Sequence, residues 1–206
     1  VSLEDTVKLS HAHGIPVIAD AAAQIYPIDY MRNIAQTADL VCFGGKYMGA
    51  PHSTGLVCGN ADLVYAASQH GFIGPRPLGR GMKMDRQEIV GLVVAIENWL
   101  TSDHEKRLVD YGTKFSIIEH SLAGSTGVSK TEVVSTNNFY NLMLNVTLDT
   151  QKLGKNAQQI NKELLDGNPR IRLSATDSDD TLCINVHTIN NREAEILGSK
   201  LSDILN

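Results

Sequence analysis

At 206 residues, with 42% hydrophobic and 20% charged residues, the chain can bury a sizeable core and is not a candidate for disorder. A net charge of −5 and a pI near 5.8, with basic residues scattered rather than clustered, give no electrostatic footprint for nucleic acid. There is no apolar run of membrane-spanning length and no signal-peptide pattern, and the three cysteines, Cys42, Cys58 and Cys183, fall in apolar strand-like runs. These features predict a cytoplasmic protein with buried thiols rather than disulfides or a metal site.

Leu3, Val7 and Ala12 repeat at helical spacing, and Gly14 with Pro16 stops that helix. The run Val17 to Asp20 then predicts a buried strand ending in a carboxylate, followed by the small residues Ala21, Ala22 and Ala23. A short helix around Tyr30 to Thr37 crosses to a second apolar strand, Leu40 to Phe43, which makes a right-handed βαβ unit. That strand stops at Gly44 and Gly45, delivers Lys46, and breaks again at Gly49 and Pro51 before Thr54 to Cys58 resumes as a strand.

Adjacent glycines beside a lysine suggest backbone close to a bulky guest, because only glycine leaves room there. Lys46 stands 26 residues after Asp20, and both fall at the carboxyl ends of neighbouring strands, where α/β sheets bind ligands. A carboxylate, a floor of methyl groups and a lysine in a dry pocket meet the needs of pyridoxal phosphate. Its ring nitrogen wants an acid partner, its ring face a small residue such as Ala22, and its aldehyde an amine.

Further on, Asn60 caps a helix through about Gln69, and His70 to Met84 forms a loop with four glycines and the cations Arg76, Arg80 and Lys83. Such a loop is either a solvated connector or a segment facing an anionic substrate. Asp85 and Glu88 form a capping box for a helix with Ile89, Leu92, Val93, Ile96 and Leu100 on one face. Ser102 and Glu105 repeat the pattern, so the helix is kinked or restarted, with a second stripe at Leu108, Tyr111, Phe115, Ile118 and Leu122.

Strands follow at Thr131 to Ser135 and Asn141 to Leu148 about a turn at residues 136 to 138. A helix marked by Leu153, Ala157, Ile160 and Leu164 closes at Gly167, and strands at Ile171 to Ala175 and Leu182 to His187 flank an acidic turn over residues 177 to 180. A last amphipathic helix runs from Asn191 to Leu205. The order predicts an α/β chain, with part of a larger, mainly parallel sheet domain over residues 1–100 and a small α+β domain over residues 101–206.

The strings H-G-I-P-V-I-A-D-A-A-A-Q, A-D-L-V-C-F-G-G-K-Y-M-G-A-P-H-S-T-G-L-V-C-G and G-R-G-M-K-M-D-R-Q-E-I-V-G-L resemble the fold type I pyridoxal phosphate enzymes of the aspartate aminotransferase superfamily. Within it they are similar to the branch of seryl-tRNA selenium transferase and D-glucosaminate-6-phosphate ammonia-lyase. The resemblance implies a cofactor bonded to Lys46, paired with Asp20 and resting on Ala22, and a homodimer or larger assembly. It implies that Ser53 and Thr54, after His52, present hydroxyls to the cofactor phosphate of a neighbouring subunit. It also places Arg80 within a family motif, where it would contact an anionic substrate.

Arg172, with Arg170, opens a small-domain strand from which related folds reach a substrate carboxylate; a surface strand arginine accounts for it equally well. Gln24 comes four residues after Asp20, one later than in cysteine desulfurases. The implied activity is α,β-elimination from an amino acid or amino-sugar acid. Transfer of selenium to seryl-tRNA is disfavoured by the acidic pI, and a non-catalytic relative is the remaining alternative. The family's members are longer, so the chain is expected to be a C-terminal fragment, inactive alone, of a protein whose preceding half carries a phosphate loop.

Overall fold

The computed structural model describes residues 1–73, 77–136, 139–174 and 178–206. The chain divides into two compact units, Val1–Ser102 and Asp103–Asn206.

The first unit opens with α1 (Leu3–Ala12), capped by the Ser2 hydroxyl, which accepts the Asp5 N–H. Strand β1 (Ile18–Asp20) lies parallel to β2 (Leu40–Gly44), with α2 (Ile28–Thr37) between them in sequence. Strand β3 (Gly55–Gly59) runs antiparallel to β2 on its other side, so the sheet is mixed, in the order β1-β2-β3. Helix α3 (Ala61–His70) follows, N-capped by Asn60. Helix α4 (Arg86–Thr101) starts at the predicted capping box, where the Asp85 N–H donates to the Glu88 carboxylate (3.3 Å).

Ala21, Ile25, Met31, Ile34, Val41, Phe43 and Met48 form the core of this unit, with Ile96 and Trp99 packed against it. The Trp99 indole donates to the Ile25 carbonyl (3.0 Å) and ties α4 to the loop after β1.

Three expectations about burial fail. Ile18 is 67% exposed, because strand alternation puts Ile18 and Asp20 on the exposed face of β1, with Ala19 toward the core. On α4 the inward stripe is Leu92, Ala95, Ile96 and Trp99, rotated from the predicted face, so Val93 and Leu100 are left exposed. The large indole, with a polar handle that finds a carbonyl, sets the helix rotation. Cys42, Cys58 and Cys183 are free thiols, half-buried rather than fully buried.

In the second unit α5 (His104–Leu122) is a new helix. Its N-cap is Asp103, whose carboxylate accepts the Lys106 N–H (2.9 Å), rather than the predicted Ser102, which ends α4. Strands β4 (Val128–Thr136) and β5 (Phe139–Leu148) form an antiparallel hairpin. Its predicted turn residues Asn137 and Asn138 lie outside the described ones. The single predicted helix is two, α6 (Thr150–Leu153) and α7 (Ala157–Asp166), broken where Gly154 takes φ +62°.

Strand β6 (Thr181–Ile184) pairs antiparallel with β5, and α8 (Asn191–Leu205) ends the chain. The predicted Ile171 to Ala175 strand reduces to one bridge between Ser174 and Cys183, because the Ile171 N–H turns back to the Leu164 carbonyl (2.9 Å); Ala175 and Asp177 lie outside the described residues. The core stripe Tyr111, Phe115, Ile118 and Leu122 is buried as predicted, against Leu144, Val146, Leu182, Ile184, Leu197 and Leu201.

His187, just past β6, stacks its ring 5.2 Å from that of Tyr111. Burial, and then the cations Arg107 and Lys114, hold its pKa below the ordinary 6.5. Below that pH the unfolded chain takes up a proton that the folded chain resists, so this share of stability is complete above 6.5 and is lost as pH falls. Urea unfolding at pH 7.5 and 5.5 is expected to show a loss in the wild type that shrinks in His187→Gln. An equal loss in both proteins would remove His187 as its source.

Among the described residues no helix is long and apolar enough to cross a membrane, and no cluster of three or more His, Cys, Asp or Glu could hold a metal ion.

Candidate active site

The geometry around Lys46 begins with backbone stitching between the ends of β1 and β2. Register pairs Asp20 with Cys42. Beyond it the Ala21 N–H donates to the Cys42 carbonyl (3.0 Å) and the Gly44 N–H to the Ala22 carbonyl (2.8 Å), so the alanine loop runs along β2 as a continuation of the sheet. The Ala22 N–H turns back to the Asp20 carboxylate (3.2 Å), which orients that side chain at the end of β1.

After β2 the predicted loop is a 3₁₀ turn, Gly45–Met48, closed by Gly49 at φ +86°. It is pinned from one side by β3, where the Gly45 N–H donates to the Thr54 carbonyl (2.8 Å), and from the other by α4, which packs on the turn. A Cβ on Gly45 would collide with the Thr54 hydroxyl and stand 2.7 Å from Leu92 Cδ1. A Cβ on Gly44 would lie 3.0 Å from the Tyr47 ring and 3.1 Å from the Ala22 carbonyl. The glycine pair thus lets the lysine turn sit against the alanine floor and the core.

Lys46 and Asp20 both carry exposed side chains, so the dry pocket expected around the lysine is not formed by the described residues of this unit. Strand alternation is the cause, since it puts Asp20 on the exposed face of β1, opposite Ala19 and the core. Lys46 Nζ lies 5.0 Å from the centroid of the Tyr47 ring. Nothing in the sequence marks Tyr47 except its place beside Lys46.

Of the other candidates, Ser53 and His52 are exposed on the loop after Pro51. Thr54 is buried and its hydroxyl donates to the Pro51 carbonyl (2.7 Å), so it braces the lysine turn and its hydroxyl is already engaged. Arg80 is exposed on a short 3₁₀ turn, Leu78–Met82, and Arg172 is exposed in the second unit. Arg76 lies outside the described residues. The structure brings together Asp20, Ala22, Lys46 and Tyr47, with Thr54 behind the turn.

The chemistry of this set suits pyridoxal phosphate in part. A reachable amine, a carboxylate and a methyl floor stand at adjoining strand ends, and the cradle is one that a Cβ at Gly44 would crowd. Thr54 is the member that does not suit.

No family model matches the chain. It is 31% identical over 176 residues, 84% of its length, to a 5'-C-glycyluridine monooxygenase-decarboxylase from Streptomyces sp. It is 27% identical over 169 residues, 81% of its length, to a D-glucosaminate-6-phosphate ammonia lyase from Salmonella typhimurium. It spans 42% of each of these relatives. Among solved structures, D-glucosaminate-6-phosphate ammonia-lyase superimposes with a TM-score of 0.75 over 100% of this chain and 53% of that one, at 22% identity.

Proposed function

We propose that this chain, which has the fold of the fold type I pyridoxal phosphate enzymes, serves a lyase that acts on an amino acid or amino-sugar acid by α,β-elimination. The observation that carries the reading is the pairing of parallel β1 and β2, with Asp20 and the Lys46 turn at their adjoining carboxyl ends. Similarity to an ammonia lyase over 81% of the chain supports the reaction class.

In this reading Lys46 bonds the cofactor, Ala22 lies under its ring, and Ser53 offers the accessible hydroxyl for a phosphate. Bound pyridoxal phosphate supplies an electron sink for negative charge at the substrate Cα. The Asp20 carboxylate holds the proton on the ring nitrogen. The Lys46 amine, set free when the substrate's amine takes its place and reached from the open face, would take the Cα proton, and the β-hydroxyl would leave with a proton as water. Arg80, exposed and in no ion pair among the described residues, suits an anionic group of the substrate through two parallel bonds, and Arg172 is a second candidate. A homodimer or larger assembly completes the reading.

The 31% identity to a monooxygenase-decarboxylase favours a second reading, in which the same lysine and carboxylate support loss of a carboxylate with consumption of oxygen. Product analysis separates the two: ammonia and a 2-oxo acid for elimination, carbon dioxide and oxygen uptake for decarboxylation.

The test of the site is borohydride reduction of full-length protein loaded with pyridoxal phosphate, followed by peptide mapping. A pyridoxyl adduct on Lys46 is expected, and Lys46→Met is expected to abolish it. An adduct on another lysine alone, or none, would overturn the assignment.

A further inference from the structure

A second polar concavity is lined wholly by residues of the unit Asp103–Asn206. It is an open hollow of about 630 Å³ between Asp110 and Lys114 of α5 and the run His187 to Glu193 that leads into α8.

Its floor holds a lysine that is out of place in a surface helix. The Lys114 side chain is 8% exposed, and lysine is almost never buried without a partner. Nζ donates to the Asp110 carboxylate (2.6 Å) and stands 5.6 Å from the Tyr111 ring centroid. An ammonium carries three donors, and Asp110 takes one of them.

The two carboxylates at the cavity are both engaged. Asp110 pairs with Lys114, while Glu193 accepts the Asn190 N–H (2.8 Å) in the capping box of α8. Arg192 is exposed and has no ion-pair partner among the described residues. The Asn190 side chain accepts the Glu193 N–H, and the N–H groups of Asn191 and Arg192 stand in the first turn, at the positive end of a 15-residue helix. Arg107, one turn before Tyr111 on α5, is a further cation, 5.5 Å from the ring centroid. Burial first, and then the charges of Arg107 and Lys114, hold the His187 imidazole below its ordinary pKa.

We propose that this cavity binds a small oxyanion, the phosphate or carboxylate group of a metabolite, through Lys114, Arg192 and the first N–H groups of α8. The inference is independent of the Lys46 reading, because none of its residues belongs to that site.

The test follows the His187 imidazole signals by NMR in the full chain as inorganic phosphate or citrate is added, with chloride at matched ionic strength as the control. Saturable shifts with a Kd of about 1 mM or tighter are expected for at least one of the two, which tells phosphate from carboxylate. Arg192→Ala, at a surface position, is expected to weaken binding about 5-fold, and Lys114→Met about 10-fold or more. If Lys114→Met fails to fold, Arg192→Ala decides alone. Shifts that do not saturate, that chloride reproduces, or that persist unchanged in the folded variants overturn the proposal.

Discussion

Gly45→Ala is expected to destabilise the unit Val1–Ser102 by about 1–3 kcal/mol and to cut the yield of the pyridoxyl adduct at Lys46. The added methyl would meet the Thr54 hydroxyl and stand 2.7 Å from Leu92 Cδ1 and 3.1 Å from Ala50 Cβ. Thr54 cannot swing away without giving up its bond to the Pro51 carbonyl, and Leu92 is itself buried. The turn must therefore lift from β3 and α4, and Lys46 moves with it. Adding Thr54→Ala removes the worst collision at the cost of one hydrogen bond, about 1 kcal/mol. Part of the adduct yield should then return, even if the urea midpoint does not. Wild-type midpoint and yield in the single variant would mean that the packing behind the turn does not position the lysine.

How far such features could be read from the sequence depends on whether their cause is local. The Asp85 and Glu88 capping box, the Asn60 cap, and the final helix Asn191–Leu205 are each set by residues within one or two turns, and each was legible. The βαβ unit that places Asp20 beside Cys42 was legible for the same reason, since apolar runs and their glycine and proline stops mark strand ends. Where two local signals competed, the outcome was missed: Ser102 and Asp103 both suit a cap, and Asp103 took α5 because its carboxylate reaches the Lys106 N–H.

Burial was the least legible property, because it belongs to partners distant in sequence. Ile18 reads as core in a run of apolar residues, and only the packing of Ala19 against the core shows Ile18 on the opposite face. The rotation of α4 is fixed by a bond from Trp99 to Ile25, 74 residues away, which no helical periodicity encodes. Thr54 reads as a loop hydroxyl available to a ligand, yet its backbone carbonyl and its side chain are both spent on holding Gly45 and Pro51. Lys114 was likewise hidden, because a lysine within a charged helix carries no mark of its burial beside the Tyr111 ring.

Asp20→Asn is expected to leave the adduct at Lys46 intact while slowing exchange of the substrate Cα proton with solvent. The carboxylate stands at the carboxyl end of β1, and its nearest bond is from the Ala22 N–H (3.2 Å), which an asparagine oxygen can accept as well. The alanine loop should therefore keep its course along β2, and the change removes charge rather than shape. In the proposed site that charge keeps a proton on the cofactor's ring nitrogen. A hydrogen bond to a charged group is worth about 1.5–3 kcal/mol, so its loss predicts exchange slower by roughly 10- to 150-fold. Deuterium incorporation at Cα of an amino acid or amino-sugar acid substrate, measured beside the adduct yield, reads the two effects separately. An unchanged exchange rate at full occupancy would reduce Asp20 to an anchor for the Ala22 loop. A fall in yield with intact folding would instead make it part of cofactor binding itself.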